Sequence, residues 1–138
     1  MPKISVILCT HNPRPDYLKQ TIEALAAQTL PFEQWEFTLV DNGSTITIVH
    51  LGPLTSPPTT RIIREDKLGL LHARIAGFQQ AESDLLVLVD DDNILDFSYL
   101  ETSLAISRDW PILGAWGGQC IPIFETEPAE WTRSYWNW

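Results

Sequence analysis

The sequence predicts an α/β protein, a mainly parallel sheet between helices in a three-layer α/β/α arrangement, and three observations carry that prediction. Short apolar runs rich in β-branched residues alternate with segments of helical periodicity, as where parallel strands are joined by crossover helices. The run Leu85–Val89 is apolar throughout and too short for a typical helix, the pattern of a strand covered on both faces. Successive strand-like runs also end on polar clusters: Thr10-His11-Asn12, Asp41-Asn42-Gly43-Ser44 and Asp90-Asp91-Asp92-Asn93. Ligands of open parallel sheets bind outside the carboxyl ends of the strands, so the three clusters are expected to share one edge.

Taken in order, Lys3 to Cys9 is predicted as the first and central strand. Pro15 and Asp16 open a helix that presents Leu18, Ile22, Leu25 and Ala26 on one face, and Thr29-Leu30-Pro31 closes it. Trp35 to Val40 is the second strand. Gly52, Pro53, Pro57 and Pro58 break the segment from Ile46 to Thr60, which is expected to be a loop with at most a short helix around Ile46 to Leu51. Arg61 to Arg64 supplies a short third strand. Gly69 to Gln80 reads as a helix with Leu71, Ile75 and Phe78 on one face and the small Ala73 and Gly77 permitting close approach to a sheet. After the strand ending at Asp90, Phe97 to Ser107 reads as another helix, and Ile112 to Phe124 as extended chain with Gly114, Gly117 and Gly118.

A chain of 138 residues with 44% hydrophobic and 20% charged side chains suits one compact domain, 1–138. The net charge of −9, without a basic stripe, argues against nucleic acid and anionic membrane as partners. Cys9 and Cys120 fall in apolar segments without metal-ligand spacing and read as buried thiols of a reducing compartment. With no leader and no run long enough to span a bilayer, a cytoplasmic location is expected. Every tryptophan except Trp35 lies at or beyond Trp110, and Trp131, Trp136 and Trp138 crowd the end. That much apolar surface points to a docking tail and to self-association as a homo-oligomer.

Three adjacent carboxylates, Asp90, Asp91 and Asp92, repel one another where a strand leaves the core. A hard divalent cation, Mg²⁺ or Mn²⁺, would offset that cost and would let an anionic ligand approach an acidic edge. The plainer reading of the triplet is a solvated turn, and Asn93 fits either. His11 and His72 lack a partner at zinc-ligand spacing, so zinc is not expected.

Four pieces in order, Ser5-Val6-Ile7-Leu8-Cys9-Thr10-His11-Asn12, Val40-Asp41-Asn42-Gly43-Ser44-Thr45, Leu68-Gly69-Leu70-Leu71-His72-Ala73-Arg74 and Val89-Asp90-Asp91-Asp92-Asn93, resemble the N-terminal, nucleotide-sugar-binding half of family 2 glycosyltransferases with the GT-A fold. The resemblance implies a GT-A-like domain in which 1–109 binds the nucleotide sugar and 110–138 begins the acceptor side. It implies a nucleotide pocket formed by Thr10, His11, Asn12, Asp41, Asn42, Gly69, Arg74, Asp90 and Asp91, with Asp41 facing the base of a UDP donor. Asp90 and Asp92 fit the family's Asp-x-Asp metal pattern, with Asp92 as the metal-holding carboxylate, and the division of labour between Asp90 and Asp91 stays open.

The implied reaction is metal-dependent transfer with inversion from a UDP-sugar to a saccharide, lipid or protein acceptor, assisted by a carboxylate base. In the family that base lies well beyond the triplet, and here only Asn93 to Trp138 follows it. Glu125, Glu127 and Glu130 are the carboxylates of the tail, and nothing in the sequence prefers one as base. The acceptor half is therefore expected to be missing, and the alternative is a truncated or non-catalytic module that binds the donor without transferring the sugar. A phospho-receiver domain would carry acids after the first strand, and a nucleotidyltransferase a glycine-rich loop there; Thr10-His11-Asn12 supplies neither.

Overall fold

The most apolar of the strand sequences, Ile4–Thr10 (β1), takes the interior of the sheet, where both of its faces are covered. The computed structural model describes residues 3–46, 48 and 60–135. Among them β2 (Trp35–Asp41), β3 (Thr60–Arg64) and β4 (Leu86–Asp90) complete a four-stranded sheet in the order β3-β2-β1-β4, every pair parallel. The register pairs Thr10 with Asp41, Asp41 with Arg64, and Cys9 with Asp90. The polar ends of all four strands thus lie along one edge.

Among the described residues three α-helices cover the sheet: α1 (Pro15–Ala26), α2 (Leu70–Phe78) and α3 (Tyr99–Asp109). Pro15 stands where a missing N–H costs nothing, and Asp16 complements the positive end of α1. Leu18, Ile22 and Leu25 of α1 and Leu100 of α3 join Ile4, Val6, Leu8, Phe37 and Leu39 in the larger core. Each such side chain contributes about 1.5–3 kcal/mol by leaving water. The opposite face is sealed by α2, where Ala73 meets Ile7 and Val40 in a second cluster.

The close approach to the sheet expected at Ala73 and Gly77 is observed, and it leaves the large residues of α2 outside. Ala73 and Gly77 face the sheet, whereas Leu71, Ile75 and Phe78 are 67%, 42% and 40% exposed. The approach is close enough that a Cβ on Gly77 would sit 2.5 Å from Ile7 Cγ2. Strand β4 departs from two-sided burial. Val87 and Val89 enter the core, but Leu86 and Leu88 remain exposed because α2 packs chiefly on β1 and β2.

From Pro111 to Ala129 the chain has no regular structure, and a short 3₁₀ turn follows at Glu130–Tyr135. Cys120 is exposed on this segment, contrary to the expectation of two buried thiols, because no element among the described residues packs over it; Cys9 is half-buried between β1 and α2. Trp131 is exposed and meets Tyr135 edge-on. Trp136, Trp138 and most of the expected helix at 46–51 lie outside the described residues, although Ile48 is buried in the larger core. No helix among the described residues is long and apolar enough to cross a membrane.

Candidate active site

The strand ends are tied together by hydrogen bonds between the polar clusters. The backbone N–H of Asn42 donates to the Thr10 carbonyl at 2.8 Å, extending the β1–β2 ladder by one step. Beyond it the chain turns through Asn12, whose φ of 48° lies in the left-handed region that asparagine tolerates. Asn12 N–H donates to Ser44 Oγ at 2.9 Å, and its side-chain Oδ1 accepts from Thr45 N–H at 2.8 Å. His11 Nδ1 lies 2.7 Å from the Asn42 carbonyl, an acceptor, so this nitrogen carries the proton. His11 Nε2 then accepts from the Asn12 side-chain amide at 3.0 Å.

Buried Asn42 fixes the path from β3 to α2. Its amide donates to the carbonyls of Glu65 and Lys67 at 2.9 and 2.8 Å, and its Oδ1 accepts from Gly69 N–H at 2.8 Å. Gly69, with φ of 127°, starts α2 in a conformation closed to other residues, and Arg74 follows one turn on. Arg74 reaches Asp90 Oδ1 at 3.8 Å and partly balances the acidic end of β4.

The three carboxylates have separate surroundings. Asp90, 59% exposed, ends β4 beside Arg74, and Asp91 Oδ2 accepts from the Thr10 hydroxyl. Asp92 is exposed and lines a groove between the free edge of β4 and the segment after α3, together with Asp16, Tyr17, Tyr99, Gly118 and Glu125. The turn that separates them closes through Asn93 N–H to the Asp90 carbonyl at 3.2 Å.

Asp41 is only 1% exposed, and both its oxygens are engaged. Oδ1 accepts from Ser44 N–H at 2.9 Å, and Oδ2 accepts from Arg64 at 3.0 Å. Sequence reasoning missed Arg64 and the part played by Ser44. The signal for Arg64 was present, since it ends β3 just as the other site residues end their strands, and Asp66 and Asp41 raise the pKa of its guanidinium further.

Glu125 in the groove is held by the Tyr17 hydroxyl and by Arg14 at 2.8 Å, which together draw its carboxyl below the usual range. Glu127 pairs with Arg133 at 3.0 Å.

Among the described residues no three acidic, histidine or cysteine side chains converge as a ready cation cage. Asp90 and Asp92 are nevertheless hard oxygen donors at a solvent-facing strand end. Two carboxylates suit a magnesium-like ion that takes its remaining ligands from water and substrate phosphates.

A parallel sheet with helices on both faces, and with carboxylates and arginines gathered at its strand ends, is an α/β domain of the kind that binds ligands outside the carboxyl ends of its strands. The chain belongs to glycosyl transferase family 2, whose profile matches residues 5–135. It is 29% identical over 125 residues to an N-acetylglucosaminyltransferase of Bradyrhizobium diazoefficiens, covering 88% of this chain and 25% of that protein. It is 27% identical over 150 residues to polypeptide N-acetylgalactosaminyltransferase 8 of Drosophila melanogaster, covering 100% of this chain and 25% of the relative. In structure it is similar to S. aureus TarS 1-349 in complex with UDP, with a TM-score of 0.70 at 21% identity over 86% of this chain and 39% of that one. The chain thus spans about a quarter of the length of these curated relatives.

Proposed function

We propose that this chain is the donor-binding part of an inverting, metal-dependent glycosyltransferase that takes a sugar from a nucleoside diphosphate, with UDP as the carrier. The observation that carries the reading is the row of strand ends, in which Thr10, Asp41 and Arg64 are register partners and Asp90 follows one strand away. The TarS structure is described as a complex with UDP, which supports the choice of nucleotide.

In this reading Thr10, His11, Asn12, Asp41, Asn42 and Gly69 shape the nucleotide pocket. Asp41 would accept the imide hydrogen of the base only when Arg64, 42% exposed, shares or leaves Oδ2. Arg74 would meet the diphosphate, and Asp90 with Asp92 would hold Mg²⁺ or Mn²⁺. Such a cation supplies Lewis acidity to the charge that grows on the departing diphosphate. Thr10 holds the Asp91 carboxylate away from that position through its hydroxyl. Cytoplasmic placement, and a saccharide, lipid or protein hydroxyl as acceptor, belong to the same proposal.

No general base is assigned. Glu125 and Glu127, the tail carboxylates nearest the groove in sequence, are both committed to arginine. The second reading is a module that binds the donor without turning over. The two readings part on steady transfer of labelled sugar to an added acceptor.

Calorimetric titration of UDP with and without Mn²⁺, on the native chain and on Asp92→Ala, tests the donor site. The proposal requires binding that depends on both the cation and Asp92. Binding indifferent to both would reduce the acidic triplet to a surface turn.

A further inference from the structure

We infer that Arg64 is the residue that makes this site prefer a uracil nucleotide over a cytosine one, by donating a hydrogen bond to the carbonyl at position 4 of the base. The inference rests on the donor-site reading and deepens it.

Asp41 reaches the base only alongside Arg64. Its carboxylate is buried and accepts from Ser44 N–H and Arg64, so the group of the pair that faces solvent is the guanidinium. Three of the five Arg64 N–H groups have acceptors. Nε donates to Asp66 Oδ1 at 2.8 Å, and Nη1 donates to Asp41 Oδ2 at 3.0 Å and to the Ser44 carbonyl at 3.2 Å. The two N–H groups of Nη2 have no acceptor among the described residues.

The three bonds lock the planar fork, so the donors of Nη2 are held in place before any ligand arrives and little side-chain entropy is lost on binding.

Position along the edge fits this role. Arg64 is bound to Asp41 on β2, and Arg74 to Asp90 on β4, with β1 between them. The two acidic residues therefore stand about 10 Å apart, two strand spacings. A single nucleotide laid along the edge can place its diphosphate at Arg74 and its base at Arg64. Uracil offers an acceptor oxygen at position 4, whereas cytosine carries there an amino group that is a donor. Two donors facing each other leave both unpaired, and a site built for an acceptor rejects such an analogue more strongly than it rewards the right one.

The test is titration of UDP, CDP and 4-thio-UDP, each with Mn²⁺, into the full chain and into Arg64→Lys. Lysine keeps a cation on Asp41, yet its one nitrogen cannot hold that contact and present a second planar donor. The native chain is expected to bind UDP about tenfold more tightly than CDP, and Arg64→Lys to bring the two within about threefold, as the loss of one well-placed hydrogen bond predicts. On the native chain 4-thio-UDP, whose sulfur is a weak acceptor, is expected to bind several-fold more weakly than UDP, a readout independent of whether the variant folds. Tight UDP binding with an unchanged UDP-to-CDP ratio in a folded Arg64→Lys, or with 4-thio-UDP equal to UDP, overturns the assignment of Arg64 and leaves the donor site standing. Failure of the native chain to bind either nucleotide overturns both.

Discussion

The Thr10 hydroxyl donates to the Asp91 carboxylate and so joins the end of the central strand to the turn after β4, across 81 residues of chain. Thr10 is buried, so its hydroxyl has no ready exchange with water. Thr10→Val keeps the shape and removes the donor. The expected result is a loss of about 1 kcal/mol in urea unfolding, the size of one hydrogen bond of this kind, and several-fold weaker UDP binding in Mn²⁺ as Asp91 turns back toward Asp90 and Asp92. Unchanged stability and affinity would mean that water replaces the hydroxyl without cost.

This contact also shows where the sequence stopped being informative. An apolar run that ends on polar residues marks a strand end, and that rule alone locates Thr10, Asp41 and Asp90, because a parallel sheet aligns its carboxyl ends. Three consecutive carboxylates in a turn do not alternate as they would in a strand. Which of them faces Thr10, Arg74 or the groove is set by the turn closed at Asn93, a tertiary matter. Arg64 obeys the same strand-end rule but follows a proline-broken segment that obscures the short strand carrying it. The close approach of α2 was legible in its small residues Ala73 and Gly77. Close packing there selects the smallest side chains for the sheet and leaves the larger ones outside.

That close packing leads to a prediction at Gly77. An added methyl would stand 2.5 Å from Ile7 Cγ2 and 3.4 Å from Val40 Cγ2, both on buried strand residues that cannot retreat. Gly77→Ala would gain about 1 kcal/mol of helix propensity in an open helix. Here overpacking, typically about 1–3 kcal/mol, opposes it. The variant is expected to melt below the native protein, and because α2 carries Arg74, to bind UDP more weakly as well. A variant more stable than the native chain would show that α2 can lift off the sheet at little cost.

The two cysteines differ enough to be told apart by their chemistry. Burial pushes the Cys9 thiol up to about 11, with Arg74 drawing it down and Asp90 raising it, while Cys120 stands in solvent. The thiolate is the reactive form, so at pH 8 only about one Cys9 in a thousand is reactive at any moment. Titration with a disulfide reagent at that pH is expected to show one fast thiol, removed by Cys120→Ser, and a second that reacts only in urea. The same shift makes stability depend on pH. The folded chain holds the Cys9 proton more tightly than the unfolded chain, so the contribution is complete below the ordinary thiol range. It declines as pH rises from about 9 to about 11, where the unfolded chain alone has lost the proton, and levels off above. The urea midpoint of the native chain should fall across that window more steeply than that of Cys9→Ala. Equal slopes would mean that Cys9 ionises as freely in the fold as in the open chain, and that α2 does not shield this side of β1 from water.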